Sequence, residues 1–266
     1  MENIIYERKR RIKKLNDEFN EILSLFKKIN NMGYVKNVKN GFEGSGYTFE
    51  KLIGKEEDHE SKPDYKNIEI KTTRLKRKKE ITLINITPDI SNKDNEFPME
   101  EILKKIGYPD KSNKKYKKIN SFIFGDKWNY IGLYTYKRIK LDVNYEDKKI
   151  YINAFEYNNE EIKIGASWSF NFIKKRVEKK LKNLALINVD TKRINGEEYS
   201  YYKNIELYKI ISTDLFIDLI KEGIIIVELR ANIIKEGVYK GKIKSRGANF
   251  IIDYKNIEKL YNKIYW

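Results

Sequence analysis

The chain is organised around one segment, Lys62-Pro63-Asp64-Tyr65-Lys66-Asn67-Ile68-Glu69-Ile70-Lys71-Thr72-Thr73. Its second half alternates apolar and polar side chains, which predicts an extended strand whose successive side chains point to opposite faces. Glu69 and Lys71 would then share one face. Ile68 and Ile70 would point the other way and anchor the strand in a core.

Asp64 supplies a second carboxylate upstream of this strand. The intervening Lys66-Asn67 pair predicts a tight turn that brings Asp64 back beside Glu69. Magnesium prefers oxygen ligands and keeps several waters, so the two carboxylates, the backbone carbonyl of Ile70 and a substrate phosphate make a suitable shell. The ammonium group of Lys71 cannot bind that ion, but it can orient an attacking water and offset charge on the phosphate. The segment thus predicts a nuclease active site.

The same spacing also has a simpler interpretation. An Asp followed by Glu-x-Lys arises by chance in Lys-rich chains, and this chain contains 55 Lys and Arg residues. A surface strand that carries solvated charges would show the same pattern. The choice between the two interpretations therefore depends on the rest of the sequence.

Composition favours a folded protein with an acidic polymer as its partner. The chain has 266 residues, 40% of them hydrophobic, which is enough to bury a full core. The net charge of +16 indicates nucleic acid, because a cationic face gains affinity by releasing the counterions condensed there. AT-rich coding would also over-use Lys, Ile, Asn and Tyr without selection for binding, so an incidental basic surface stays an alternative.

Missing residue types exclude several kinds of site. The chain has no Cys, which excludes disulfides and thiolate metal sites and favours a reducing compartment. A single His, His59, excludes zinc sites that need several imidazoles. The amino terminus lacks the apolar stretch of a signal peptide, and no apolar run is long enough to span a bilayer. We therefore expect a soluble cytoplasmic protein without a membrane partner.

Hydrophobic periodicity predicts a mixture of helices and strands. Helical spacing is present over 4–29, as one amphipathic helix or a helix pair, over 48–54, 100–106, 168–181 and 213–223, with Thr213 as a cap, and in a closing helix to Trp266. Strand patterns cover 81–87, 121–124, 131–138, 149–155, 184–189, 205–211, 224–230 and 250–252, whereas the rest of 89–120 is expected to be irregular. No internal repeat or linker is evident. We expect a single domain over 1–266 with two lobes, a catalytic lobe over about 1–160 and a recognition lobe over about 161–266.

Charged residues outside the central segment are further candidates. Glu50 lies in the predicted helix that Gly54 ends, and it would face the central carboxylates. Arg74 and Lys76 lie in a basic turn that suits a phosphate backbone and would join two strands as a hairpin.

The carboxyl-terminal part adds a second group of candidates. Glu228 and Arg230 share one strand face by the period of two. Lys244 and Arg246 lie among glycines, which allow close approach to a groove.

The order of these motifs resembles that of the MvaI/BcnI family of Type II restriction endonucleases. The resemblance covers most of the chain from Gly41 onward. It is carried by Gly44-Ser45-Gly46-Tyr47-Thr48-Phe49-Glu50-Lys51-Leu52, Pro63-Asp64-Tyr65, Ile68-Glu69-Ile70-Lys71-Thr72, Ser167-Trp168-Ser169-Phe170, Leu215 to Arg230 and Arg246-Gly247-Ala248-Asn249-Phe250.

The resemblance implies an α+β fold with a restriction-endonuclease-like PD-(D/E)XK core, in which helices flank a mixed central sheet and two lobes form a DNA cleft. By the family's motif, Asp64 and Glu69 would ligate Mg²⁺, Lys71 would serve the attacking water and Glu50 would support the site. Mn²⁺ would substitute for Mg²⁺.

The resemblance also implies a monomer that recognises a short pseudopalindromic site in double-stranded DNA and cleaves one strand at a time. Glu228 and Arg230 fall where the family places residues that read bases. A cognate DNA methyltransferase would be encoded separately.

One segment departs from the family pattern. MvaI-like proteins have a His-Gly-containing segment that ends in Phe-Arg near the end of the chain, where this sequence has Lys244 to Ile251. Arg and Lys favour guanine acceptors, so the target could still contain G, but the family's CC(N)GG-type site does not carry over. A MutH-type strand-nicking repair endonuclease and a non-catalytic basic DNA-binding protein stay alternatives.

Overall fold

The computed structural model describes residues 2–41, 43–55, 62–74, 80–90, 98–132 and 136–265. The helices in these ranges are α1 (Glu2–Asn31), α2 (Gly44–Leu52), α3 (Pro98–Ile106), α4 (Phe170–Leu181), α5 (Thr213–Lys221) and α6 (Ile257–Leu260). The strands are β1 (Val35–Lys36), β2 (Ile68–Arg74), β3 (Glu80–Asn85), β4 (Asp89–Ile90), β5 (Tyr108–Asp110), β6 (Asn113–Ile123), β7 (Asn129–Tyr130), β8 (Arg138–Asn144), β9 (Lys149–Phe155), β10 (Ala166–Ser169), β11 (Asn183–Ile194), β12 (Glu197–Ile210), β13 (Ile225–Ile233), β14 (Ile243–Asp253) and β15 (Tyr261–Tyr265). The predicted mixture of helices and strands is confirmed. Within the same ranges, no helix combines the length and apolar character that crossing a membrane requires.

The chain divides into two compact units, each discontinuous in sequence. The first comprises Met1–Lys79, Glu178–Ile211 and Tyr261–Trp266, and the second comprises Glu80–Val177 and Ser212–Leu260. This division follows the sheets rather than chain order, because β11 and β12 pair in one sheet with β2, while β13 and β14 pair with β6 and β3. The units therefore differ from the expected lobes at about 1–160 and 161–266. The single domain stays a prediction.

The first unit is built on one mixed sheet in the order β1-β12-β11-β2, with β15 also paired to β12. β2 runs parallel to β11, and β11 runs antiparallel to β12. In α1, Phe19, Ile22, Phe26 and Ile29 follow at steps of three and four residues, so they lie on one helix face. All four are buried. The helix thus covers the sheet with a continuous apolar stripe.

Ile68 and Ile70 of β2 join that stripe in the core, together with Phe49 of α2. The exposed fractions of Ile68 and Ile70 are 0% and 4%, so the prediction that these two side chains point into the core is confirmed. Burying one such side chain is worth about 2 kcal/mol relative to leaving it exposed. Because side chains alternate along a strand, this anchoring places Glu69 and Lys71 on the opposite face of β2.

The second unit contains two antiparallel sheets, ordered β3-β14-β13-β6-β5 and β4-β10-β9-β8-β7. Trp168 of β10 is fully buried, and its indole nitrogen donates to the carbonyl of Ile86 at 3.0 Å. Its ring meets that of Phe250 edge-on, with centroids 5.5 Å apart. This aromatic contact ties β10 to β14 within the unit.

Strand pairing limits two of the predicted helices. The helix predicted over 168–181 is confirmed but begins two residues later, at Phe170, because Trp168 pairs with Ile150 of β9. The closing helix predicted to Trp266 was too long, because it is limited to a 3-10 turn over Tyr254–Asn256 and to α6, and β15 follows to pair with β12. Helical spacing of apolar residues cannot report such long-range pairing.

Three further helices lie close to the positions that their local signals predict. α2, α3 and α5 are confirmed within a few residues of the expected bounds. The cap of α5 is Ser212 rather than the predicted Thr213, because the Ser212 hydroxyl accepts a hydrogen bond from the amide of Asp214 at 3.0 Å. Gly223 follows this helix with a φ of +67°, which suits a glycine stop.

Three strand predictions were also wrong. The stretch expected to be irregular contains β5 and β6, and β6 pairs with β13 along one edge. Lys-rich β6 did not show a strand pattern because much of it is solvated. The strand predicted over 131–138 lies instead over Arg138–Asn144. The basic turn does not close a hairpin, because β2 and β3 belong to different sheets.

Candidate active site

A tight turn at Lys66-Asn67 brings Asp64 back onto β2. The amide of Tyr65 donates to the carbonyl of Ile68 at 3.0 Å, and the amide of Ile68 donates back at 2.8 Å. Lys66 has a φ of +50°, as hairpin turns of this length require. The Asp64 Oδ2 atom consequently accepts a hydrogen bond from the amide of Ile70 at 2.9 Å. The predicted doubling back of the chain is confirmed.

Helix α1 holds this turn from outside. Asn67 donates through Nδ2 to both carboxylate oxygens of Glu18, at 3.0 and 3.2 Å. Glu21, one turn further along, accepts from the hydroxyl of Tyr65 at 3.0 Å and pairs with Lys66. The position of Asp64 therefore depends on a helix that is distant in sequence.

Glu69 and Lys71 form a partly buried ion pair on the polar face of β2. The Nζ atom of Lys71 lies 2.6 Å from Glu69 Oε1, and that of Lys180, from α4, lies 3.4 Å from the same oxygen. Glu69 is fully buried. Its other oxygen, Oε2, has no hydrogen-bond partner within the described part of the chain. Burial raises the pKa of the Glu69 carboxyl above its usual value, and the ammonium groups of Lys71 and Lys180 offset this effect only in part.

Glu50 and Lys55 complete the cluster from the end of α2. Lys55 Nζ lies 2.5 Å from Asp64 Oδ1 and 3.6 Å from Glu50 Oε2. Gly54, with a φ of +82°, turns the chain after the helix, and the amide of Lys55 donates to the carbonyl of Glu50 at 2.9 Å. Glu50 thus lies beside the central carboxylates, as predicted. Lys55 and Lys180 were not predicted, although the helix stop at Gly54 was a usable signal for Lys55.

The directions in which the pKa values are shifted indicate which charged forms the site favours. Burial opposes ionisation of Asp64, but Lys71, Lys55 and the Ile70 amide together hold the pKa of its carboxyl below the usual value. Burial and the neighbouring Asp64 charge raise the pKa of Glu50. Burial also opposes the charge of Lys71, yet Glu69 and Asp64 raise its pKa above the ordinary value. These two carboxylates therefore favour the ammonium form of Lys71.

Asp64 and Glu69 fit a divalent cation whose coordination shell comes only partly from side chains. Glu69 Oε2 is a buried carboxylate oxygen without a hydrogen-bond partner in the described ranges, which is an available hard ligand. Among the described residues, no group of three or more carboxylate, imidazole or thiol side chains lies close enough to hold a metal ion. An ion held by Asp64 and Glu69 would need backbone, water or phosphate oxygens to complete its shell. The predicted ligation by the Ile70 carbonyl stays a prediction.

The sequence match over nearly the whole chain establishes its relationship. The family model "MvaI/BcnI restriction endonuclease family" matches residues 23–261. The chain belongs to the MvaI/BcnI restriction endonuclease family. It is therefore a member of a family of site-specific DNA endonucleases, and the predicted resemblance is confirmed. No individual curated protein matches the sequence.

Two solved structures of MvaI show the same fold as this family member. The first, described as "Restriction endonuclease MvaI-cognate DNA substrate complex", has a TM-score of 0.82 and 24% sequence identity, and covers 92% of this chain and 97% of that chain. The second, "Restriction endonuclease MvaI in the absence of DNA", has a TM-score of 0.58 and 23% identity, and covers 93% and 96%. The predicted restriction-endonuclease-like fold is confirmed.

The second unit of this MvaI/BcnI family member carries a row of polar side chains across three strands. Glu228 of β13 is 4% exposed and pairs with the guanidinium of Arg230 at 2.5 Å. Asn249 of β14 donates to Glu228 Oε2 at 3.5 Å, and Asn85 of β3 donates to Asn249 Oδ1 at 2.6 Å. Asn85 also donates to the carbonyl of Arg246 at 2.7 Å. The predicted shared face of Glu228 and Arg230 is confirmed, whereas Asn85 and Asn249 were not predicted.

The remaining DNA-binding candidates lie at several places. Lys244 and Arg246 are exposed on β14, two residues apart and before Gly247, whose φ is +71°. Arg74 lies 3.1 Å from Glu198 Oε1 and donates to the carbonyl of Gly41 at 2.8 Å, so it also ties the loop before α2 to β2. Lys76 and His59 lie outside the described residues. DNA contact by these residues stays a prediction.

Proposed function

We propose that this protein is a Mg²⁺-dependent Type II endonuclease that hydrolyses phosphodiester bonds of double-stranded DNA at a specific short sequence. The observation that carries the proposal is the convergence of Asp64, Glu69 and Lys71 on one side of β2 in a member of a restriction endonuclease family. The net charge of +16 supports a nucleic-acid substrate. Double-stranded DNA is further supported by the MvaI structure that is described with its cognate DNA substrate.

Asp64 and Glu69 would hold the ion, together with the backbone carbonyl of Ile70. Bound there, Mg²⁺ would polarise a phosphate oxygen and lower the pKa of a coordinated water. Lys71 would orient the attacking water and offset the charge on the phosphate, because its raised pKa keeps it positive. Glu50 would support the arrangement through Lys55, which touches both Glu50 and Asp64.

Residues of the second unit would select the sequence. Arg230 can donate two parallel hydrogen bonds to guanine in the major groove, and its pairing with Glu228 restricts its direction. Lys244 and Arg246 are exposed cations that suit phosphate or guanine contacts. Arg74 and Lys76 would add phosphate contacts beside the catalytic strand. The target sequence, however, does not follow from these residue types.

The protein would act as a monomer that nicks the two strands in turn, since the proposed catalytic groups of one chain can attack one strand at a time. Mn²⁺ would replace Mg²⁺, because it accepts the same oxygen ligands. A separately encoded DNA methyltransferase would protect the same site in the host. The family membership supports each of these proposals.

Supercoiled plasmid incubated with the purified protein tests the function. In Mg²⁺ we expect nicked circles, then linear DNA with defined ends, and in EDTA we expect no product. Asp64→Ala, Glu69→Ala and Lys71→Ala should each abolish cleavage while sequence-specific DNA binding stays measurable. Arrest at the nick until another protein is added would indicate a MutH-type repair endonuclease. If the plasmid products after incubation in Mg²⁺ and in EDTA are the same, the protein is a non-catalytic DNA-binding protein.

A further inference from the structure

The ammonium group of Lys55 contacts the Asp64 oxygen that does not accept the hydrogen bond from the Ile70 amide. Asp64 Oδ2 is occupied by the Ile70 amide, and Lys55 Nζ lies 2.5 Å from the other oxygen, Oδ1. The same ammonium group lies 3.6 Å from Glu50 Oε2. The side chains of Lys55 and Asp64 are 18% and 11% exposed, so water screens this contact only partly. Lys55 thus stands where a metal ion on Asp64 would compete with it.

Lys71 and Lys55 reach the site from different backbone elements. Lys71 lies within β2, paired with Leu186 of β11, and its ammonium group contacts Glu69. Lys55 lies beyond the end of α2, after the turn at Gly54, and reaches Asp64 through its long side chain. Four rotatable bonds allow an ammonium group to leave without a change in the backbone. Lys55 can therefore leave Asp64 without disturbing β2.

We propose that Lys55 is an internal counter-cation that holds Asp64 and Glu50 in place before a divalent ion binds, and that leaves Asp64 Oδ1 when the ion arrives. The inference rests on the proposed function, since it requires that Asp64 ligates a metal ion. An ammonium group repels a divalent cation, so the two compete for one carboxylate oxygen. Lys55 is then a positioning residue that preserves the geometry of the site at the expense of metal affinity.

Calcium binding to the full-length protein without DNA tests this role. Lys55→Met removes the charge and keeps much of the bulk, Lys55→Gln is a second neutral variant, and Lys36→Met is the matched control. Lys36 pairs with Glu197 at 3.1 Å on the surface of the same unit, with both side chains about half exposed. Calorimetric titration gives the Ca²⁺ dissociation constant of each protein, and thermal unfolding gives its stability with and without Ca²⁺.

We expect both Lys55 variants to bind Ca²⁺ about tenfold more tightly than the parent, because each bound ion no longer displaces an ammonium group. Without Ca²⁺ they should unfold at a lower temperature than the parent, and saturating Ca²⁺ should remove most of the difference. A merely structural lysine would lower the unfolding temperature without tightening Ca²⁺ binding. Lys36→Met should leave both measurements unchanged. If Lys55→Met does not fold without Ca²⁺, the Ca²⁺ dissociation constants of Lys55→Gln and the parent test the inference.

Calcium binding by the Lys55 variants that is equal to or weaker than that of the parent would overturn the inference. When the parent also binds Ca²⁺ and cleaves plasmid in Mg²⁺, such a result leaves the proposed function intact. If neither the parent nor the variants bind Ca²⁺ and plasmid stays uncut in Mg²⁺, the proposed metal chemistry fails and the role of Lys55 fails with it.

Discussion

At Glu69, burial outweighs the charge compensation that the neighbouring ammonium groups provide, which raises the pKa of its carboxyl. It is fully buried, shares Oε1 with the ammonium groups of Lys71 and Lys180, and leaves Oε2 without a hydrogen-bond partner among the described residues. Removing one partner of a buried ion pair leaves the other charge uncompensated, whereas a metal ion would use the available oxygen. The arrangement is therefore better suited to ligation than to stability.

Glu69→Gln keeps the shape of this side chain and removes its charge. We expect plasmid cleavage to slow by about 10²-fold or more, the usual cost of losing one electrostatic contributor to a transition state. Glu206→Gln is the matched control, because Glu206 is a carboxylate in the same unit that accepts from Lys263 and Tyr208 at 3.1 and 3.0 Å. Its cleavage rate should stay near that of the parent. Equal rates for Glu69→Gln and the parent would remove Glu69 from the active site.

The sequence allowed prediction of those site residues that one local hairpin brings together. Asp64, Glu69 and Lys71 lie within a short turn and strand, so spacing alone could place them. Lys180 reaches Glu69 from α4, and no local pattern joins two residues so far apart in the chain. The hydrogen bond between the side-chain amides of Asn85 and Asn249 depends in the same way on strand pairing.

At the scale of secondary-structure elements, α1 supports the turn at Lys66-Asn67 that places Asp64. Glu18 is 3% exposed and accepts two hydrogen bonds from Asn67, while Glu21 pairs with Tyr65 and Lys66 at the exposed side of the same turn. The helix covers the core through one face and holds the turn through another. A change in α1 should therefore affect both stability and cleavage.

Glu18→Ala tests this coupling. It leaves the Asn67 amide without its carboxylate partner, so the free energy of unfolding should fall by about 1–3 kcal/mol. Cleavage should also slow, because the turn that places Asp64 loses its anchor. Glu21→Ala is the control, since its exposed ion pair is screened by water and should change stability little. Urea denaturation and plasmid cleavage give the two quantities. Equal stability of Glu18→Ala and Glu21→Ala would contradict the supporting role of α1.

Elements with a strong local signal were predictable, and elements defined by distant partners were not. α3 and α5 carry their apolar stripe, and α5 also its cap, within one segment. By contrast, β15 is a strand because β12 offers it an edge, and β10 is a strand because it lies between β4 and β9. Their sequences alone also allow a helix. The sheet topology thus determines that these two segments are strands, which local propensity does not.

At the scale of the whole molecule, the net charge of +16 makes DNA affinity depend on salt. Each phosphate that is neutralised releases condensed counterions, so the logarithm of the binding constant falls by about 0.9 per contact for each tenfold increase in salt. This contribution is the same for every DNA sequence. Discrimination between sequences has to come from side chains that reach base edges.

Lys244→Ala and Arg230→Ala separate these two contributions. Lys244 is an exposed lysine on β14, so its loss should weaken binding to all duplexes alike and reduce the salt slope by about 1. Arg230 is restricted by Glu228 and offers a planar set of donors, so its loss should cost about 1–3 kcal/mol on the target duplex and little on an unrelated one. Fluorescence anisotropy over a range of salt concentrations, with Ca²⁺ in place of Mg²⁺, measures both. An equal loss of binding free energy on both duplexes for Arg230→Ala would indicate that Arg230 contacts phosphates rather than bases.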